Sequence, residues 1–433
     1  MKAAFYTLGC KVNQYETQLM EQRLADAGFE IVAPDETADV YVINTCTVTA
    51  ESDRKTRQML HRFKEHSPGA VAVLAGCFPQ SAPERAQALP EADVIAGTRE
   101  RANIVELVQN ALRSGGRLVR VAPYSEAEPD DASPARGRMG HTRAYVKIED
   151  GCRSFCTYCI VPAARGPIRS KPAKAVRAET QGLLEAGYRE VVLVGVNLAS
   201  YGADTGESLA DAVRAACSTG IARIRLGSLE PNVVTPRFLE RAAPLQNLCP
   251  HFHLSLQSGC EATLRRMNRR YTPEAYLAAV DALRAAFPGC AVTTDIIVGF
   301  PGETEEEFAR SAAFAREAGF ARVHVFPYSR REGTPAASMP GQLTGREKRA
   351  RVHRMMEACE PARLAFLRAH VGRELPVLFE RDAGGSEGLT ADYARVRVAG
   401  AENRAGELLP VRVTGCSEAD DTLLGELAPR ISG

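Results

Sequence analysis

The sequence carries no excess of either charge: 54 Lys and Arg against 53 Asp and Glu leave a formal net charge of +1. No global field therefore marks the chain for nucleic acid, although local patches count for more than the sum. Long apolar runs are missing as well. The longest, Ala70 to Phe78, falls far short of the roughly 18 residues a membrane helix needs, so no membrane partner is expected. No secretion leader is expected either. Only Ala3 to Leu8 separate Lys2 from Gly9-Cys10, less than the apolar stretch of about 7–15 residues such a leader requires. The expected location is the reducing cytoplasm, where twelve cysteines point to metal or redox chemistry rather than to a disulfide framework.

What is present is a chain of 433 residues, 45% hydrophobic and 25% charged, a composition that suits a cored protein of about three domains. Residues 1–124 alternate short apolar runs (3–7, 39–43, 71–74) with helical stretches, the pattern of a doubly wound parallel sheet. Residues 125–141, rich in Pro, Gly, Ser and charge, read as a linker. Over 142–366 the alternation resumes with six strand candidates (144–148, 191–194, 222–226, 251–256, 292–298, 322–326) and longer helices between them. A partial (β/α)6 barrel fits, with its chemistry at the carboxyl ends of the strands. From 371 to 431 short β-rich runs separated by Gly-containing turns predict a small antiparallel β-barrel.

The strongest chemical signal is Gly151-Cys152-Arg153-Ser154-Phe155-Cys156-Thr157-Tyr158-Cys159, a C-x3-C-x2-C triplet directly after the first barrel strand. Three thiolates on one tight loop can hold three irons of a [4Fe-4S] cluster, leaving the fourth iron open for a substrate or cofactor. A zinc knot is the alternative. It needs a fourth Cys or His close by, and the nearest, His141, lies before the strand.

At this loop, with its C-x3-C-x-Tyr-C spacing, the chain resembles the radical S-adenosylmethionine (SAM) enzymes. The continuation Cys159-Ile160-Val161-Pro162-Ala163-Ala164-Arg165-Gly166 and Arg169-Ser170 narrows the likeness to the methylthiotransferases. So do Gly195-x-Asn197-x3-Tyr201-Gly202, Ser228-x-Glu230-Pro231, Leu256-Gln257-Ser258-Gly259 and Asp295 to Glu303. Arg153 stands where that family commonly has asparagine and Val194 where it has threonine; neither is a proposed cluster ligand. The resemblance implies that Cys152, Cys156 and Cys159 hold the cluster that cleaves SAM to a 5′-deoxyadenosyl radical. It also assigns Gly195, Asn197, Glu230 and Gln257 to SAM contact. Independently, Gly195, Glu230, Gln257 and Asp295 lie at or just beyond predicted strand ends, where polar groups reach a shared ligand, although each alone reads equally well as a cap or turn residue.

Cys10, Cys46 and Cys77 have no motif in common, yet each follows a predicted strand by one to three residues. In a doubly wound sheet such positions converge on one crevice, so the three thiols could bind a second [4Fe-4S] cluster. Three unrelated buried cysteines would be the plainer reading. The resemblance decides for the auxiliary cluster that the family carries on matching cysteines. The other six cysteines read as structural.

Positive charge gathers in Arg265-Arg266-Met267-Asn268-Arg269-Arg270 and in Arg395 and Arg397, which share one face of a predicted strand. Small barrels bind nucleic acid through cationic and aromatic faces, and the terminal segment resembles a TRAM domain. Arg269, Arg270, Arg395 and Arg397 are the RNA-contact candidates. Thr7-Leu8-Gly9-Cys10-Lys11-Val12-Asn13-Gln14-Tyr15-Glu16-Thr17 and His324 to Arg330 resemble the branch that acts on N6-threonylcarbamoyladenosine next to the anticodon. The resemblance implies methylthiolation of C2 of that base, with two [4Fe-4S] clusters facing one pocket and SAM as both radical source and methyl donor. Expected partners are tRNA and an electron donor such as flavodoxin or ferredoxin, with no DNA. Alternatives are isopentenyladenosine or a ribosomal-protein aspartate as substrate, or a non-catalytic iron–sulfur or zinc RNA-binding protein.

Overall fold

The computed structural model describes residues 1–124, 133–137, 141–380 and 386–428. Its N-terminal sheet holds six parallel strands: β1 (Lys2–Thr7), β2 (Glu30–Val32), β3 (Val40–Thr45), β4 (Val71–Gly76), β5 (Val94–Ala96) and β6 (Leu118–Arg120), in the order β2-β1-β3-β4-β5-β6. Strands covered on both faces read as continuous apolar runs. Here Val40, Val42, Val71 and Val73 pack to one side, and Tyr41, Ile43, Ala72 and Leu74 to the other. Three strands more than the sequence suggested are present, β2, β5 and β6. Each is only three residues long, too short to show a period.

Helices α1 (Lys11–Asp26), α2 (Ala50–His66), α3 (Cys77–Ser81), α4 (Pro83–Gln87) and α5 (Ile104–Ser114) connect these strands. The start of α2 is fixed by Thr49, whose side chain accepts from Ser52 N, with Glu51 and Asp53 in the first turn and Lys64 and His66 in the last, a charge order that suits the helix dipole. The strand order reverses between β1 and β3. In open α/β sheets ligands bind beyond the carboxyl ends of the strands at such a reversal.

The central unit begins with β7 (Ala144–Lys147) and a small ribbon of β8 (Glu149–Asp150) and β9 (Arg169–Ser170). Then come β10 (Glu190–Val194), β11 (Arg223–Leu226), β12 (His251–His253), β13 (Ala291–Val298) and β14 (Arg322–Pro327). β7, β10 and β11 pair in parallel, as do β12, β13 and β14. Parallel bridges at Ile224–Leu248 and Leu229–Leu254 join the two halves. The result is a six-stranded open barrel packed around one large apolar core.

The terminal barrel closes as β15 (Glu374–Phe379), β16 (Glu387–Leu389), β17 (Arg395–Val398), β19 (Thr422–Leu427) and β18 (Leu408–Ser417). Four of its pairings are antiparallel, but β17 and β19 run parallel. The purely antiparallel expectation is corrected at that pair. Closure leaves no strand edge unpaired. The tract read as a linker falls partly outside the described residues. Its described part is held down rather than loose: Ser133 O accepts from Tyr15 Oη at 3.2 Å, and Ala135 N donates to Glu179 Oε1 at 2.8 Å. No helix among the described residues is long and apolar enough to cross a membrane.

Candidate active site

Cys10 caps the start of α1 just after β1, Cys46 follows β3 directly, and Cys77 opens α3 just after β4. All three thus lie beyond the carboxyl ends of neighbouring strands, at and beside the reversal point. Gly9, at φ +114°, lets the chain pass close over Cys46: a side chain there would put its Cβ 2.7 Å from Cys46 Cβ and 3.1 Å from its Sγ. Asn13 sits beneath the trio. Its Oδ1 lies 3.5 Å from Cys10 Sγ and 4.0 Å from Cys77 Sγ, while its amide donates to Leu8 O and Thr45 O at 2.9 Å each. Cys46 and Cys77 are each 7% exposed, and Cys10 is open. Burial pushes the Cys77 thiol up to about 12. A cationic centre would therefore have to displace its proton on binding.

Directly below lies a cross-domain ion cluster. Glu16 of α1 and Asp150 of β8, both fully buried, face Arg101, Lys147, Arg165 and Arg169. Burial alone would raise both carboxyl groups; instead Arg101, Arg165 and Lys147 hold Glu16 below its ordinary range, and Lys147, Arg165, Arg101 and Arg169 hold Asp150 well below. Four cations on two carboxylates leave a buried positive surplus. Arg165 directs it upward: its Nη2 donates to Asn13 Oδ1 at 2.6 Å, and its charge interacts with the Cys77 sulfur. Unpaired buried charge is costly, so thiolates holding an anionic cluster suit this place. Among the described residues no group of three His, Cys, Asp or Glu is arranged to hold a metal ion.

The second trio follows β8. Gly151, at φ +87°, is required there, because a Cβ would lie 1.9 Å from Pro167 O. Cys152 N donates to Gly166 O at 3.1 Å and Cys159 N to Cys156 O at 2.9 Å, while Thr157 N anchors the loop on Met267 O at 3.1 Å. Cys152, Cys156 and Cys159 line a cavity of about 510 Å³ with Arg153, Phe155 and Tyr124. Burial pushes Cys159 up to about 12. Asn197 Nδ2 lies 3.9 Å from Cys152 Sγ and donates to Ser154 Oγ at 3.3 Å. Arg269 Nη1 stands 3.3 Å from Cys156 Sγ and 3.0 Å from Glu230 Oε1. Its Nη2 is buried without a partner, a donor left over for an anionic ligand group. This donor set, three thiols with an unsatisfied guanidinium beside them, fits a three-cysteine cluster and a carboxylate-bearing cofactor.

Asn197 and Glu230 thus come to the second trio, Glu230 by way of Arg269. Gly195 lies elsewhere, on the wall of a different cavity and against Glu149, whose Oε2 a Cβ would meet at 2.7 Å. Gln257 adopts φ +68° and bridges strands through its backbone, with its N on Asp295 O and its O receiving Ile297 N.

Arg269 corrects an expectation. Its side chain is 6% exposed and turned toward Glu230, so it does not present its charge to an RNA. Arg270 is exposed. Arg395 and Arg397 point outward from β17, as the period of two predicts. Arg397 is paired with Glu387 at 2.8 Å.

The second cavity, about 690 Å³, is shared by all three units. Cys10 and Lys11 line it from the N-terminal sheet, Gly195, Asp295 and His324 from the barrel, and Tyr393 and Arg395 from the terminal barrel. Cys10 lines this cavity, and the second trio lines the smaller one. The helix that follows Cys77, α3, packs on α6 (Val161–Arg165), the helix that follows Cys159, and so sets the distance between the trios. The sequence does not single out Asn13 or Arg165 as site residues, and it marks Arg269 for RNA rather than for this site. Arg165 and Arg269 were visible only as members of motifs, and which way they turn depends on tertiary packing.

Family models match in two places: "Uncharacterized protein family UPF0004" over residues 2–97 and "Radical SAM superfamily" over residues 146–315. The chain is 36% identical to the threonylcarbamoyladenosine tRNA methylthiotransferase MtaB of Bacillus subtilis, over 95% of this chain and 93% of that one. To the protein of the same name from Thermotoga maritima it is 37% identical, over 95% and 94%. A tRNA-2-methylthio-N(6)-dimethylallyladenosine synthase from Symbiobacterium thermophilum is 35% identical, over 97% and 93%. Among solved structures, the radical SAM methyltransferase TsrM of Kitasatospora setae, with cobalamin and a [4Fe-4S] cluster bound, superposes with a TM-score of 0.60 at 14% identity, over 78% and 74% of the two chains.

Proposed function

The chain belongs to the radical SAM methylthiotransferases, enzymes that use SAM and a [4Fe-4S] cluster, and from that premise we propose that it methylthiolates C2 of N6-threonylcarbamoyladenosine next to the anticodon of tRNA. The observation that carries the reading is the pair of cysteine trios, each beyond the carboxyl ends of parallel strands and tied to the other through α3 and α6. Cys152, Cys156 and Cys159 are assigned to the SAM-binding cluster, and Cys10, Cys46 and Cys77 to a second [4Fe-4S] cluster. When bound, these groups supply the radical that activates an unactivated aromatic C–H, the sulfur and the methyl group, which no side chain can provide.

The protein's own part is placement. Asn197 and the Glu230–Arg269 pair flank the Cys152/Cys156/Cys159 trio and position SAM. Asn13 and Arg165 hold the Cys10/Cys46/Cys77 trio over a cationic floor. The exposed Phe155, at φ +48° on the rim of the Cys152/Cys156/Cys159 cavity, supports docking of an electron donor of the flavodoxin or ferredoxin kind at that rim. Arg270, Arg395 and Arg397 are assigned to the tRNA.

Mass spectrometry of nucleosides tests the reading. Anaerobically reconstituted protein with SAM, a reductant and threonylcarbamoyl-modified tRNA should yield the methylthio derivative. Product only on dimethylallyl-modified tRNA, or on neither, would overturn the choice of base.

A further inference from the structure

The 690 Å³ cavity is within the size range of small-ligand pockets, and its charges do not balance. Its lining has three basic side chains, Lys11, Arg322 and Arg395, and one carboxylate, Asp295. Two of these four are already engaged. Arg322 pairs with Asp421 at 2.6 Å, and Asp295 stands 3.1 Å from His253 Nε2. Lys11 and Arg395 remain, each exposed and each without an ion-pair partner among the described residues. They approach from opposite units: Lys11 opens α1 beside Cys10, and Arg395 begins β17 of the terminal barrel. His251, 6% exposed on the same wall, keeps a buried Nδ1 with no hydrogen-bond partner and stacks on Tyr393 at 4.8 Å.

Apolar side chains such as Val12, Leu226, Phe326 and Leu389 also line the wall, but the two unengaged cations suit an anion. A dimethylallyl group carries neither charge nor hydrogen-bonding atom. A threonylcarbamoyl group carries a carboxylate, a hydroxyl and a urea. We propose that Lys11 and Arg395 together grip the carboxylate of the N6-threonylcarbamoyl substituent, so that the N-terminal and terminal units jointly select the base from its most distant atoms. The inference rests on the threonylcarbamoyladenosine reading and adds to it which residues make the choice. Cys10 lines the same cavity, so a base held there by its substituent is held beside the N-terminal trio.

The test uses the holoenzyme and two anticodon stem-loop RNAs, one carrying threonylcarbamoyladenosine and the other its neutral carboxamide. Charge-assisted hydrogen bonds of this kind correspond to roughly ten- to a hundredfold in affinity. Wild type should therefore favour the acid by about that factor in kcat/KM. Arg395→Gln and Lys11→Met should each shrink the ratio, chiefly by raising KM for the acid. Iron is counted in both variants; if Lys11→Met loses iron, Arg395→Gln, on β17 of the terminal barrel, decides alone. Equal loss on both RNAs would identify Arg395 as a backbone contact and overturn the inference. Equal use of the two RNAs by wild type would overturn it while leaving the choice of base standing. No product from either RNA would instead remove the underlying reading.

Discussion

Asn13 and Arg165 meet across the boundary between the N-terminal sheet and the barrel: Arg165 Nη2 donates to Asn13 Oδ1 at 2.6 Å, and that oxygen faces Cys10 and Cys77. A residue six places beyond the last cysteine of one trio thus lies in the immediate surroundings of the other. The two candidate metal centres share a polar framework, and the framework is buried.

Removing Arg165 should therefore be felt in stability as well as activity. Arg165→Met strips the fully buried Glu16 and Asp150 of the guanidinium that donates to both of them. Breaking a buried pair in this way costs about 3–5 kcal/mol, to be read by denaturant unfolding under argon. Arg165→Lys keeps the charge and should recover part of the loss. A change below about 1 kcal/mol for the methionine variant would mean that the cluster is not under electrostatic load.

The trios should separate by function. The two-cluster reading predicts about eight irons per chain, and Cys10→Ala or Cys152→Ala should each fall to about four. Cys10→Ala should still form 5′-deoxyadenosine from SAM and fail to insert sulfur, whereas Cys152→Ala should form none. Full iron retention in either variant would contradict the ligand assignment.

Arg269 and Arg270 are adjacent and should behave differently. Arg269→Gln removes the donor between Cys156 and Glu230 and should raise KM for SAM with little effect on tRNA affinity. Arg270→Ala should weaken tRNA binding and lower its salt dependence by about one phosphate contact, without altering SAM cleavage in the absence of RNA. The reverse pattern would restore Arg269 to the RNA surface.

Acid should loosen the terminal barrel. Burial raises the Glu190 carboxyl, but Arg225, Arg143 and Arg223 outweigh it and bring it down to about 2, against an ordinary 4.5. Its contribution is therefore complete above pH 4.5 and disappears as pH falls toward 2. The arginines it holds donate to the terminal barrel, Arg223 to Pro376 O and Leu389 O, and Arg225 to Ala391 O. Hydrogen exchange should show residues 374–398 losing protection over that range in wild type. Glu190→Gln should start less protected and change less.

Much of this was legible before any coordinates. The six barrel strands fall where the sequence puts them: β10 (EVVLV) is a near-continuous apolar run, whereas β11 (RIRL) and β14 (RVHVFP) alternate. The helix Pro273–Ala286 starts at Thr272-Pro273, which is both cap and first-turn signal. The short strands at 30–32, 94–96 and 118–120 gave no such signal. The cysteines could be named from strand ends and from a resemblance. The inward turn of Arg269 could not, because an arginine in a basic tract looks the same whether it faces water or a carboxylate. The charge shared by Glu16, Asp150 and Arg165 joins residues more than a hundred positions apart, and no local pattern records it.

Tyr393 stacks on His251 and lies over the Arg225 guanidinium at 4.6 Å, so one face of the substrate chamber is supplied by a module that holds none of the six candidate metal-binding thiols. The terminal module's half of the recognition surface is in that sense separable from the thiol-bearing units. Reshaping the loop between β16 and β17 would change that half of the chamber wall without touching either cysteine trio.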